Sequence, residues 1–170
     1  MSDQQKFGRW MIVAAWVSLL VLLTVLFSQW IEHQNNPNRQ LMVTSGLEDS
    51  STVVLKRNRA GHYVAPGKIN GVDVIYLLDT GATLVAVSSK LAEEAGLRPG
   101  APSQSRTANG VVRSWLTKID SLQLGPITMR NVKASILPNM PEREVLLGMS
   151  FLKHLKLSQQ GDELEISLPD

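Results

Sequence analysis

Leu77-Leu78-Asp79-Thr80-Gly81-Ala82-Thr83 carries an apolar run onto a carboxylic acid and then into a Thr-Gly turn. Val72 to Leu78 reads as a β-strand rich in apolar and β-branched residues, opened by the turn signal Asn70-Gly71 and closed by the acid itself. A strand end delivers a side chain to a fixed place, whereas a long loop does not. Asp79 is therefore the leading candidate for a reactive group.

Two further stretches give that acid a context. Thr107-Ala108-Asn109-Gly110-Val111-Val112 reads as a hairpin with strand formers on both sides of a two-residue Asn109-Gly110 loop. In that register Arg106 and Arg113 stand directly opposite each other, where like charges are destabilising unless they diverge into solvent or receive an acidic ligand group. Downstream, Val145-Leu146-Leu147-Gly148 is an apolar run ending in glycine and leading into Met149-Ser150-Phe151-Leu152.

Together these motifs resemble the retropepsin family of single-lobe aspartic proteases: an Asp-Thr-Gly-Ala loop, a flap hairpin, an apolar-apolar-Gly loop and a short helix. The resemblance spans about residues 53–170, and Asp-Thr-Gly-Ala-Thr with Thr-Ala-Asn-Gly is most similar to the bacterial membrane-anchored branch. It implies a closed β-barrel domain, mostly β with one or two short helices, and an aspartic endopeptidase activity on peptide or protein substrates. Two carboxylates about 3 Å apart share one proton in such enzymes, one acting as base toward a water and the other as acid. This chain holds one Asp-Thr-Gly and no second one, since Asp49 precedes Ser50-Ser51 and Asp162 precedes Glu163-Leu164. The resemblance therefore implies a two-fold homodimer with one Asp79 from each copy.

The same resemblance assigns roles to the neighbours. Thr80, Gly81, Ala82 and Thr83 complete the active-site loop, with the Thr80 hydroxyl bonding across the dyad and the Gly81 N–H approaching the carboxylates. Thr107, Ala108, Asn109 and Gly110 form the flap that closes over a bound peptide. Leu146, Leu147 and Gly148 form the second loop, in which Gly148 passes close behind the Asp79 turn. A non-catalytic peptide-binding or scaffold module on the same fold is the alternative, and it would not need an ionisable Asp79.

Residues 10–31 are free of charge and largely apolar, and as a helix would be about 33 Å long, enough to cross a hydrocarbon core. Trp10 and Trp30 stand near its ends, where interfacial anchors sit. A cleaved signal peptide would have a shorter apolar region and a small-x-small site, so a single retained transmembrane helix is the expectation. Lys6 and Arg9 precede the span, against Glu32 and Arg39 after it, which places residues 1–9 in the cytoplasm. The catalytic domain would then face the periplasm from a bacterial inner membrane, the bacterial setting being implied by the resemblance. Residues 32–52 are polar and read as a flexible linker, leaving 53–170 as the protease domain.

Of 17 basic and 15 acidic residues, Asp3, Lys6 and Arg9 lie in the tail, so the remainder is near neutral and gives no sign of nucleic-acid binding. The three histidines, His33, His62 and His154, are isolated in sequence and lack metal-ligand spacing, and no glycine fingerprint for a nucleotide occurs. No metal and no cofactor is expected. The absence of cysteine fits an oxidising compartment without requiring it.

The remaining elements follow from apolar runs and turn signals. Val53–Lys56 and His62–Val64 read as a hairpin around Ala60-Gly61, and Leu84–Val87 as a short strand. Ser88 or Ser89 is placed to cap a helix ended by Gly96. Trp115–Leu124 and Ile127–Leu137 read as strands split by Gly125-Pro126, and Leu155–Leu168 as a hairpin turning near Gly161-Asp162.

Overall fold

A computed structural model describes residues 3–45, 51–107 and 110–169. The chain divides into two compact units, Met1–Asn35 and Asn36–Asp170. The first is a single helix, α1 (Asp3–Asn35). Within it, Gly8–Ile31 is long and apolar enough to cross a membrane by length and composition. Its large apolar side chains, from Trp10 to Ile31, are exposed. The Thr24 and Ser28 hydroxyls donate back to the Leu20 and Val25 carbonyls, so neither polar side chain interrupts that surface with an unmet donor.

The second unit is mostly β. Its strands are β1 (Met42–Ser45), β2 (Ser51–Lys56), β3 (Val64–Ile69), β4 (Val72–Leu78), β5 (Val85–Ser88), β6 (Pro102–Thr107), β7 (Gly110–Leu124), β8 (Ile127–Leu137), β9 (Glu144–Leu147), β10 (Lys156–Gln160) and β11 (Glu163–Ser167). Two short helices, α2 (Ser89–Glu94) and α3 (Met149–Leu152), are inserted after β5 and β9. A seven-stranded sheet runs β3-β4-β9-β5-β8-β7-β6, and a four-stranded sheet runs β1-β2-β11-β10. The larger sheet curls until β3 meets β7 again, but only through Lys68–Gln123 and Ile69–Leu122. The expected barrel closure is thus confined to one two-pair seam.

Alternation along the strands selects the core face. Val74 and Tyr76 of β4, Val85 and Val87 of β5, Ala134 and Ile136 of β8, and Val145 and Leu147 of β9 all join one apolar cluster with Phe151 and Leu152 of α3. Ser88 caps α2, its hydroxyl accepting from the Leu91 N–H at 3.1 Å and donating to the Glu142 carbonyl at 2.9 Å. A cap of this kind stabilises a helix by about 1 kcal/mol.

Three expectations need correction. The stretch 32–52 is not free chain throughout: α1 runs to Asn35, and β1 pairs with β2 from Met42–Val54 to Ser45–Ser51. Asn38, inside that polar stretch, is 4% exposed. Its amide donates to the Lys56 and Val64 carbonyls at 2.9 and 2.7 Å and accepts from the Lys56 N–H at 2.7 Å. Backbone groups that would otherwise be orphaned at a strand end are satisfied in this way. The hairpin around Ala60-Gly61 reduces to one bridge, Arg57–Tyr63, because β2 takes β11 as its partner and β3 takes β4.

The turn of the flap is displaced by one residue, which moves each cross-strand partner by two. Thr107 pairs with Gly110, so Arg106 faces Val111 and Arg113 faces Gln104. The two arginines are not opposed, and the guanidinium of Arg113 lies 5.6 Å from the centre of the Trp115 ring instead. Gly110, at φ +110°, takes the first place of β7, a backbone state that glycine reaches without steric cost. Of the expected flap residues, Ala108 and Asn109 lie outside the described residues.

Candidate active site

β4 stops at Leu78, which pairs with Leu147 of β9, and Asp79 is the next residue. Its N–H donates to the Leu147 carbonyl at 3.3 Å, and its own carbonyl accepts from the Ala82 N–H at 3.2 Å, closing a tight turn. Inside that turn the Gly81 N–H donates to Asp79 Oδ1 at 2.9 Å. A Cβ at position 81 would lie 3.1 Å from the same carboxylate oxygen, so a side chain there would crowd the hydrogen bond. The bond fixes the rotamer of the carboxylate.

β9 and α3 brace the loop from behind. The Met149 and Ser150 N–H groups donate to the Ala82 and Thr83 carbonyls at 2.8 and 2.9 Å. Ser150 adds its hydroxyl, which accepts from the Val85 N–H at 3.0 Å and donates to the Lys133 carbonyl at 2.7 Å. Gly148 is buried between them. A Cβ there would lie 2.7 Å from the Ala82 carbonyl oxygen and closer still to that of Leu84.

In front of Asp79 opens a cleft of about 620 Å³. Asp79, Gly81, Ala82 and Thr83 line one side, and Ser103 to Arg106 of β6 line another. β6 is the last strand of its sheet, so one backbone edge has no strand partner among the described residues. A free strand edge along a cleft is a template for an extended peptide.

Among the expected site residues, the structure brings Asp79, Gly81, Ala82, Thr83 and Leu146 to the cleft. Leu147 points to the core and Gly148 packs behind the loop. Thr80 is exposed, and its hydroxyl has no partner among the described residues. Thr107 and Gly110 are the first pair of the hairpin stem. Arg106 lines the cleft, whereas Arg113 lies on a separate outer groove with Pro102 and Val111.

Sequence reasoning misses Ser150, Leu84, Ala86, Leu116, Ser135 and Leu137. A hydroxyl inside an apolar run, such as Ser135 within Ala134-Ser135-Ile136-Leu137, is the one signal of a sheet face other than the core.

Residues 65–154 match the family described as "gag-polyprotein putative aspartyl protease". The chain belongs to that family and carries a retropepsin-like aspartic protease domain. A retropepsin-like aspartic protease from Rickettsia conorii, known from its crystal structure, is 25% identical with a TM-score of 0.59, covering 76% of this chain and 96% of that one. The "uncharacterized protein in cobV 5'region" of a Sinorhizobium species is 28% identical over 179 residues, 98% of this chain and 77% of its own. EIAV protease, solved in complex with the inhibitor HBY-793, is 18% identical with a TM-score of 0.46, over 58% of this chain and 92% of that one.

Proposed function

We propose that this protein is a membrane-anchored aspartic endopeptidase that hydrolyses peptide bonds of protein substrates. The observation that carries the reading is Asp79 itself, aimed from the end of β4 into a peptide-sized cleft and held by the Gly81 N–H at 2.9 Å. One carboxylate cannot be acid and base at once. In the proposed enzyme a second copy supplies the other Asp79, and the exposed Thr80 hydroxyl finds its partner across the dyad.

With one proton shared between the two acids, the ionised carboxylate takes a proton from a water. That water attacks the scissile carbonyl, and the protonated acid donates to the carbonyl oxygen as it becomes a hydroxyl. The tetrahedral diol then collapses, the C–N bond breaks and the amine leaves with a proton returned through the dyad. The open edge of β6 aligns the peptide backbone, and the hairpin formed by β6 and β7 closes over it to exclude bulk water.

Residues 10–31 act as the anchor in this reading. Lys6 and Arg9 keep residues 1–9 in the cytoplasm, so the protease domain faces the periplasm of a bacterial inner membrane. The full-length protein in detergent, offered a peptide library beside its Asp79→Ala variant, tests the central claim. Cleavage that requires Asp79 supports it, and a library left intact by the wild-type chain removes it.

A further inference from the structure

One transverse row of residues crosses four strands beneath the cleft. Leu146 of β9 pairs with Ala86 of β5, Ala86 pairs with Ser135 of β8, and Ser135 pairs with Leu116 of β7. All four line the cleft. Their chain neighbours Val85, Val87, Ala134, Ile136, Val145 and Leu147 belong to the core, so alternation turns the row to the opposite face. With strands roughly 4.8 Å apart, the two small residues in the middle leave a depression about one side chain wide between two leucine walls.

The bottom of that depression holds an unused hydrogen-bonding group. Ser135 is 5% exposed, and its hydroxyl has no partner among the described residues. The hydroxyl is open to the cleft and is not sealed in the core. Five other hydroxyls of the unit, those of Ser88, Ser105, Ser114, Thr117 and Ser150, already have partners within the protein. Among the described residues, the only ionisable side chains lining the cleft are Asp79 and Arg106. A charged tip seated between Leu116 and Leu146 would meet apolar walls and a single neutral hydroxyl, which is too little to repay its desolvation.

We propose that Ser135 is a specificity-determining residue, and that the depression selects a peptide side chain with an apolar body and a neutral polar tip, tyrosine above all. A phenol ring fills the space between the leucines while its hydroxyl meets that of Ser135. It also loses less rotamer freedom on binding than glutamine, which carries the same kind of tip on a flexible stem. This assignment rests on the peptide-hydrolase reading for its consequence, although the binding contact does not depend on hydrolysis.

The test uses matched peptides that differ only by tyrosine, phenylalanine or glutamine, scanned through each position flanking the cleaved bond. Cleavage is measured with the full-length protein and its Ser135→Ala and Ser135→Thr variants. Equilibrium binding is measured with the Asp79→Asn protein, alone and combined with Ser135→Ala. A neutral hydrogen bond predicts that, at one position, tyrosine exceeds phenylalanine about 3- to 10-fold in kcat/KM and in affinity. Ser135→Ala should bring that ratio to about 1, and Ser135→Thr should restore it.

Cleavage without a tyrosine preference, or a preference that survives Ser135→Ala, overturns the proposal while leaving the protease reading intact. Tyrosine-selective binding that depends on Ser135 but leads to no cleavage supports the pocket and removes the protease reading. A glutamine preference that depends on Ser135 would overturn the choice of tyrosine, and loss of all binding would remove both ideas.

Discussion

Gly148 and Ala82 are in backbone contact: a Cβ on the glycine would stand 2.7 Å from the alanine carbonyl oxygen, and the next N–H, from Met149, donates to that oxygen at 2.8 Å. The second loop is thus pressed against the loop that carries Asp79, with no side chain between them. Carbonyls fixed in this way cannot swing aside as a flexible side chain would. Gly148→Ala should therefore cost about 1–3 kcal/mol of stability by overpacking. It should also displace the Asp79 turn and lower Asp79-dependent cleavage more than the stability loss alone explains. Urea unfolding followed by circular dichroism, with activity measured well below the transition, checks both; a variant as stable and active as wild type would mean that the two loops part easily.

Ser150 ties three elements to the same loop through one oxygen. Removing the hydroxyl leaves the Val85 N–H and the Lys133 carbonyl short of a partner. Val85 is fully buried, so water cannot readily take over its bond. Ser150→Ala should destabilise by about 1–3 kcal/mol, the usual cost of an unmet buried donor. Amide hydrogen exchange provides the local readout. Protection should fall at Val85 and along the loop 80–85, and unchanged protection there would show that Ser150 is not a brace.

Much of this arrangement is legible in the amino-acid sequence. Asp79 is readable because a strand-forming run, a turn signal and a Thr-Gly step converge on one acid, and local propensity and tertiary structure agree there. The same holds for β7 and β8, where Gly125-Pro126 marks the break and the strands end as expected. Register is not legible in the flap, because the Asn109-Gly110 dipeptide suits a two-residue loop on local grounds while the actual pairing starts at Thr107–Gly110. Asn38 misleads for a related reason. Its surroundings in the chain have the composition of a linker, yet its amide is consumed by backbone groups of Lys56 and Val64, residues 18 and 26 positions away. The Leu146-Ala86-Ser135-Leu116 row cannot be read from the chain at all, since it exists only once four strands are placed side by side.

Tyr76 makes stability sensitive to alkaline pH. The ring is fully buried, its hydroxyl donates to the Lys68 carbonyl at 2.8 Å, and burial pushes the phenol well above the ordinary tyrosine range. In the unfolded chain the group titrates near its usual value of about 10. A raised folded value means that the native state holds the proton more tightly. The contribution is therefore fully present below about pH 10 and declines as pH rises beyond it, by up to about 1.4 kcal/mol per pH unit. Tyr76→Phe should flatten that decline between pH 10 and 11 while losing the bond to Lys68 at every pH. Urea midpoints for both proteins at pH 8, 9, 10 and 11 provide the comparison, and parallel slopes would rule Tyr76 out as the cause.

The two-fold active site can be tested by mixing chains. Each copy has one Asp-Thr-Gly, and the dyad chemistry needs two carboxylates, so a hybrid of wild-type and Asp79→Asn chains keeps a single ionisable acid. Such a hybrid should be almost inactive. Equal amounts with free exchange leave about a quarter of dimers with both acids by random pairing. Specific activity per total chain should fall accordingly, below the half expected if every wild-type chain worked alone. Confinement of both copies to one membrane raises their effective concentration, so activity in detergent should also decline on dilution while activity in vesicles holds. Exchange is verified by differently tagged chains captured together. Activity that remains near one half after verified exchange would mean that one Asp79 suffices, and the shared-proton mechanism would have to be abandoned for this protein.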